Sequence, residues 1–247
     1  VTQHLKIMID LNNPDFKINH WGVLYYYDYD LENLLIAEKR IIENSEKYSK
    51  TLMEEFRNKI KNDSELQTPA TNEQELAFQA QYYGHYYGDT EKFLKQIPQN
   101  FRKASLLSIF SVLEGQLKLI TNLIENNYKF SVKIKHITGT DHIHKYWIYL
   151  TKVYEIESKE VENEYNLIRQ HKYIRNKIAH NNSEIDDNKI TFIKNTKGLN
   201  MRKFGANYIV EIESEKYIID IIELIQSFFN NLIKAIDRRY GELENVG

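Results

Sequence analysis

The sequence predicts an all-α fold: a helical bundle with a small β-hairpin insertion and a mostly helical N-terminal extension. Three observations lead there. Only 3 Pro and 9 Gly interrupt 247 residues, so helix is permitted almost throughout. Apolar residues recur at three- and four-residue steps in several long segments. The two-residue alternation that marks strands is confined to residues 189–193 and 208–212. The extension is assigned to residues 1–97 and the bundle to residues 98–247.

The first thirty residues hold the short apolar stretch Leu5–Ile9, a break at Asn12-Asn13-Pro14 and an aromatic run from Trp21 to Tyr27, and they carry no assigned element. From Leu31 to Ile60, apolar residues such as Leu35, Ile42, Phe56 and Ile60 at mixed three- and four-residue steps predict one long helix or a kinked pair. A loop follows from Asp63 to Ala70, and Thr71 with Gln74 is read as a capping box for the next helix, which should run toward Gly84 or Gly88. The tyrosines of Gln81–Gly88 are expected to pack by their rings rather than to serve as a platform for stacked bases. After Pro98 comes the most regular helix, with Leu106, Phe110, Leu113, Leu117, Ile120 and Ile124 on one face.

His136, His142 and His144 have a spacing that invites a metal reading, but the turn-like Thr138–Asp141 lies among them, and no metal or cofactor is assigned. Two further stripes, Tyr146 to Tyr154 and Val161 to Ile178, predict two helices. Beyond them Lys189–Ile193 and Tyr208–Ile212 are expected to pair as the hairpin. A long amphipathic helix from Tyr217 to Ile236 should close the chain, with a frayed tail after Arg239.

The charge balance, 33 Lys and Arg against 35 Asp and Glu, gives no overall attraction to nucleic acid or acidic membranes, so nucleic-acid contact must rest on local patches. Without cysteine there are no disulfides, thiolate nucleophiles or thiolate metal ligands, which fits a cytoplasmic protein. No apolar run is read as approaching the roughly 18 residues of a membrane span, and no membrane partner is expected.

Chemistry concentrates in Arg175-Asn176-Lys177-Ile178-Ala179-His180, at the end of the second predicted helix and before the polar Asn181-Asn182-Ser183. His moves protons near neutrality and Arg forks onto phosphate, so the pair suits cleavage of an RNA phosphodiester in which the 2′-hydroxyl is the nucleophile. Asn176 would orient the His or the phosphate. On a helix, positions 175 and 180 diverge by roughly 140°, whereas Asn176 and His180, and likewise His171 and Arg175, stand four apart and can touch. That divergence points to a cleft completed by a second copy. Glu114, beside the apolar stripe of its helix, is a supporting candidate together with His171.

Arg175, Asn176 and His180 resemble, residue by residue, the motif of the HEPN superfamily: Arg, a polar residue, a few further residues and His at the end of a helix in an all-α bundle. The surrounding order is similar over residues 98–240: a helix with an acidic residue (Glu114), the motif helix, a polar insertion and a closing helix. The resemblance implies metal-independent cleavage to 2′,3′-cyclic phosphate and 5′-hydroxyl ends, with Arg175, Asn176 and His180 as catalytic residues. It also implies a homodimer with the motifs facing across a cleft, an RNA substrate such as tRNA or mRNA, and a place in a prokaryotic toxin–antitoxin or antiphage system with an antitoxin or regulatory partner, for which residues 1–97 are the natural surface. One branch of the family is silenced by adenylylation of a Tyr two residues after the His. Here Asn182 stands in that place, so this control is not expected. The alternative is a noncatalytic helical module that binds RNA or nucleotide through the same residues, and a purely structural reading pairs Arg175 with Glu114.

Overall fold

Two long helices set the frame of the structure, a computed structural model that describes residues 20–128 and 130–244. Helix α1 spans His20–Lys61 and α4 spans Gly88–Asn127. At 1.5 Å per residue they are about 63 and 60 Å long. They run antiparallel: Ser108 of α4 donates to Glu38 of α1, and Arg102, six residues earlier, to Glu46, eight residues later. Residues 1–19, with Leu5–Ile9 and the Asn12-Asn13-Pro14 break, lie outside the described residues. The long-helix alternative for residues 31–60 holds, for α1 is continuous from His20.

At one end α1 and α4 are joined by α2 (Ser64–Gln67) and α3 (Glu73–Tyr86). The cap of α3 sits one residue later than the predicted Thr71–Gln74 box. Asn72 accepts from the Glu75 backbone, and the Glu75 carboxylate reaches back to the Thr71 amide and hydroxyl. The tyrosines here pack through their rings: Tyr82 and Tyr86 lie 4.6 Å apart, and the buried Tyr87 donates to Asp63. Pro98, expected to precede a helix, lies inside α4, so residues 97 and 98 share one uninterrupted helix. A proline there removes one main-chain hydrogen bond. The loss falls in residues 88–104 of α4, the stretch that buries no residue.

The C-terminal half of α4, from Ser105 to Ile124, is the centre of the core, with α1, α5, α6 and α8 around it. Helix α5 (His142–Ile148) runs into a π-helical turn, Tyr149–Val153. Glu155, at φ 62°, breaks that line before α6 (Glu162–His180) begins. Helix α8 (Glu215–Glu244) buries Ile221, Ile225, Phe228, Phe229 and Leu232, and it continues past Arg239, where fraying was expected. An 18-residue window of α4 reaches the mean hydropathy of a membrane span, against the expectation of no such run, and half of that window is buried inside the fold.

The described residues contain one antiparallel sheet, of strand order β1-β3-β2: β1 (Glu184–Ile185), β2 (Leu199–Phe204) and β3 (Asn207–Ile212). The hairpin exists, but its first strand is β2, not residues 189–193. Those residues begin α7 (Ile190–Asn195), in which Ile190 and Ile193 face the core one turn apart. Gly205 at φ 61° opens the two-residue turn between β2 and β3, the position a II′ turn reserves for glycine.

Candidate functional site

Helix α6 has an electrically sensible sequence, with Glu162 and Glu164 in its first turn and Lys177 and His180 in its last. Tyr165, Ile168 and Ile174 turn inward and fix its rotation. Its end is sharp. The Asn181 and Ser183 amides both donate to the Lys177 carbonyl, at 3.0 and 2.9 Å, and Asn182 and Ser183 take φ values of 48° and 68°. Two left-handed non-glycine residues in succession are costly, and here they turn the chain back so that the Ser183 carbonyl accepts from Val210 of β3. Asp186 secures the return: its side chain accepts from Tyr173 and Lys177, at 2.9 and 3.0 Å, and its amide donates to the Tyr173 hydroxyl. These bonds hold the Asp186 carboxyl below the usual carboxylate range, Lys177 contributing most.

Within this frame the guanidinium of Arg175 donates from Nη1 to Oδ1 of Asn176 at 3.1 Å. Its Nε–H is buried and has no acceptor. The other cations of α6 have carboxylates: Lys172 and Arg169 meet Asp141, and Lys177 meets Asp186. Among the described residues, Arg175 is the α6 cation without one. His180 is exposed on the last turn and makes neither a hydrogen bond nor an ion pair among the described residues. Arg175 and Asn176 are thus joined, while the Asn176–His180 contact allowed by their spacing is not formed in one chain.

His171 points elsewhere. Its Nδ1 is 3.1 Å from the Tyr217 hydroxyl, and its ring lies 5.5 Å from both Phe192 and Tyr217. Burial pushes its pKa down to about 4, against the opposing field of Asp220. It is a core-edge histidine bonded to Tyr217, and no hydrogen bond joins it to Arg175, four residues on. Glu114 is half-buried on α4 and makes no ion pair with Arg175 among the described residues, so the pairing on which the structural reading rests is not formed. Its charge is felt at Tyr146, whose hydroxyl pKa is raised chiefly by burial and then by Glu114.

The three clustered histidines serve the fold. His136 accepts from the Lys133 amide at 3.1 Å, the His142 ring stacks on Tyr146, and His144 meets the Tyr165 hydroxyl at 2.6 Å. Among the described residues no group of three His, Asp or Glu side chains converges as metal ligands.

No family model, no curated protein and no solved structure matches this chain. The chemistry of the α6 terminus therefore has to be argued from its own atoms. A half-buried guanidinium with one of its five N–H groups bonded and no carboxylate partner among the described residues suits an oxyanion, and an exposed imidazole suits proton transfer. The Tyr173–Asp186–Lys177 clamp that fixes the chain after His180 was not found from sequence. Tyr173 and Lys177 stand four apart on one face, but nothing local ties Asp186 to them.

Proposed function

We propose that this chain is a metal-independent endoribonuclease of the HEPN type, serving as a toxin or effector of a prokaryotic defence or toxin–antitoxin system. The observation that carries the reading is Arg175, held toward Asn176, with a buried N–H lacking an acceptor and no carboxylate partner among the described residues. A structural arginine is ordinarily neutralised where it is buried, whereas an arginine kept for a phosphate is not. In the reaction O2′ of a ribose attacks the adjacent phosphorus and its proton passes to a His180 imidazole. The P–O5′ bond breaks, and O5′ takes a proton from the His180 of a second copy. The products are a 2′,3′-cyclic phosphate and a 5′-hydroxyl. Arg175 stabilises the charge gathered on the phosphoryl oxygens and Asn176 orients its guanidinium.

One observation favours a second reading, RNA or nucleotide binding without turnover: within a single chain His180 makes no bond to Arg175 or Asn176. A single experiment separates the two. Purified protein is incubated with single-stranded RNA and tRNA in EDTA, and the new ends are mapped. Cleavage should require a 2′-hydroxyl at the cut site and should vanish in His180→Ala. Cutting of a substrate with 2′-deoxyribose at the cut site, or equal inertness of wild type and His180→Ala on a broad set of RNAs, would overturn the enzyme reading. Affinity lost in Arg175→Ala without any cleavage would then establish the binding module.

A further inference from the structure

Among the described residues, helices α1 and α4 leave one shared face uncovered. On α1, Leu34, Ile41 and Tyr48 are 44%, 53% and 56% exposed and stand seven residues apart, so they rise in nearly one line. On α4 the neighbouring line is Ile97, Phe101, Ala104, Ser108, Ser111 and Gly115, at alternating steps of four and three. The two lines lie side by side. Tyr48 and Leu52 share an apolar groove of about 700 Å³ with Phe93, Ile97, Phe101 and Ala104, and Ser108 bonds Glu38, between Leu34 and Ile41.

We infer that this α1–α4 face is a self-association surface on which a second copy lays its own α1–α4 pair, making a four-helix arrangement across a twofold axis. Four features identify a second copy as the occupant. First, the spacing is 3.5 residues per repeat on both helices, the period at which α-helices pack side by side in bundles. Second, the face is self-complementary: large side chains protrude from α1 and from α4 at Phe93 and Phe101, while small ones, Ala104, Ser108, Ser111 and Gly115, floor the rest of α4, so a twofold brings the protrusions of each copy over the floor of the other. Third, charge is sparse. Charged residues make up 28% of the chain, yet the α4 line from Ile97 to Gly115 has none, and Glu38, which borders it on α1, is already bonded to Ser108, so a strongly charged partner finds little complement there. Fourth, the size fits. From Thr90 to Gly115 the face runs about 37 Å, and two helices 8–10 Å apart make it about 20 Å wide, giving about 750 Å². A stable interface needs about 800 Å² per partner.

Gly115 adds an independent sign. It sits mid-helix, where glycine is destabilising relative to alanine, and a Cβ there would meet nothing within 4 Å among the described residues. None of those residues draws a benefit from the missing side chain, whereas a closely approaching helix does.

This inference does not rest on the ribonuclease reading. Sedimentation velocity from about 1 to 100 μM should show reversible association toward twice the 29.5 kDa chain mass. Ile41→Glu and Gly115→Leu should each weaken it at least about 100-fold, roughly 2.7 kcal/mol. Gly115→Leu should keep its circular dichroism and melting point measured at a concentration where wild type is monomeric, because no described residue lies within 4 Å of a Cβ at that position. His180→Ala should associate like wild type. A wild-type monomer at 100 μM overturns the inference, and so does a dimer that both variants leave unchanged. A monomer that binds phosphatidylcholine vesicles through Ile41 also overturns it, assigning the face to lipid. Inert protein that dissociates in Ile41→Glu sinks only the ribonuclease reading, and cleavage by a dimer indifferent to Ile41→Glu sinks only this one.

Discussion

Replacing Arg175 with Ala should leave stability within about 1 kcal/mol of wild type while removing RNA cleavage, and the reason lies in what its guanidinium does and does not touch. Truncation loses one hydrogen bond, Nη1 to Asn176 at 3.1 Å, worth about 0.5–1.5 kcal/mol net. It also removes a buried Nε–H without an acceptor, a group that costs about 1–3 kcal/mol to bury. The two nearly cancel. Arg102 on α4 is the internal control. It holds Glu46 with two bonds of 2.6 and 2.8 Å and donates to the carbonyls of Ile212 and Glu213 at 2.9 and 2.7 Å. Its loss strands a carboxylate that is only 6% exposed, so Arg102→Ala should cost about 3–5 kcal/mol. For a chain of this size that lowers the melting point by roughly 6–20 °C. Urea and thermal unfolding of both variants against wild type read the contrast, and cleavage in EDTA reads the chemistry, where loss of a transition-state donor should cost about 10²–10³-fold. If Arg175→Ala melted as low as Arg102→Ala, or cleaved RNA at the wild-type rate, the assignment of Arg175 to a phosphate would be refuted.

Further outcomes follow from other residues. His180→Ala should unfold within about 0.5 kcal/mol of wild type, since the side chain is exposed and unbonded among the described residues; a larger loss in urea unfolding would make it a structural residue. His171, with its pKa lowered to about 4 from an ordinary 6.5, binds its proton more readily unfolded than folded. Its contribution is therefore whole above about pH 6.5 and is lost as the pH falls toward 4, amounting to about 3 kcal/mol. His171→Gln should flatten that slope, and an unchanged acid limb in unfolding titrations would remove His171 as its source. Gly198 has φ 80°, and a Cβ there would stand 2.9 Å from that of Tyr217. Gly198→Ala should cost at least about 2 kcal/mol, and a melting point equal to wild type would contradict the close approach.

Much of the helical frame could be read from residues alone. The 4-3 alternation from Leu106 to Ile124 marks the buried face of α4, and the stripe from Tyr217 to Ile236 marks that of α8, because a long amphipathic helix repeats its signal over several turns. Short elements gave no such redundancy. Ile190, Phe192 and Ile193 fit alternation and a helical turn equally well, and tertiary packing chose the helix. Strand β2 was missed because its outer positions are polar or exposed, as an edge strand allows. Pro98 misled as a boundary because a proline stops a helix only where the freed carbonyl has no other recourse. At the site, sequence correctly placed Arg175, Asn176 and His180 on the last two turns of α6. It did not show that His171 bonds Tyr217, since which way a half-buried ring turns depends on Phe192 and Tyr217, each more than twenty residues away.

The three-stranded sheet gives β3 two attachments a couple of residues apart. Val210 is bonded to Ser183, three residues beyond His180. At the end of the strand, the Ile212 and Glu213 carbonyls are held by Arg102, whose guanidinium also clasps Glu46 of α1. A few residues of extended chain therefore act as a tie-rod between the long-helix pair and the terminus of α6. A shift of α1 against α4 at Glu46 would draw on Arg102 and load the same strand that sets the backbone just after His180, so the two regions share one mechanical path despite lying far apart in sequence.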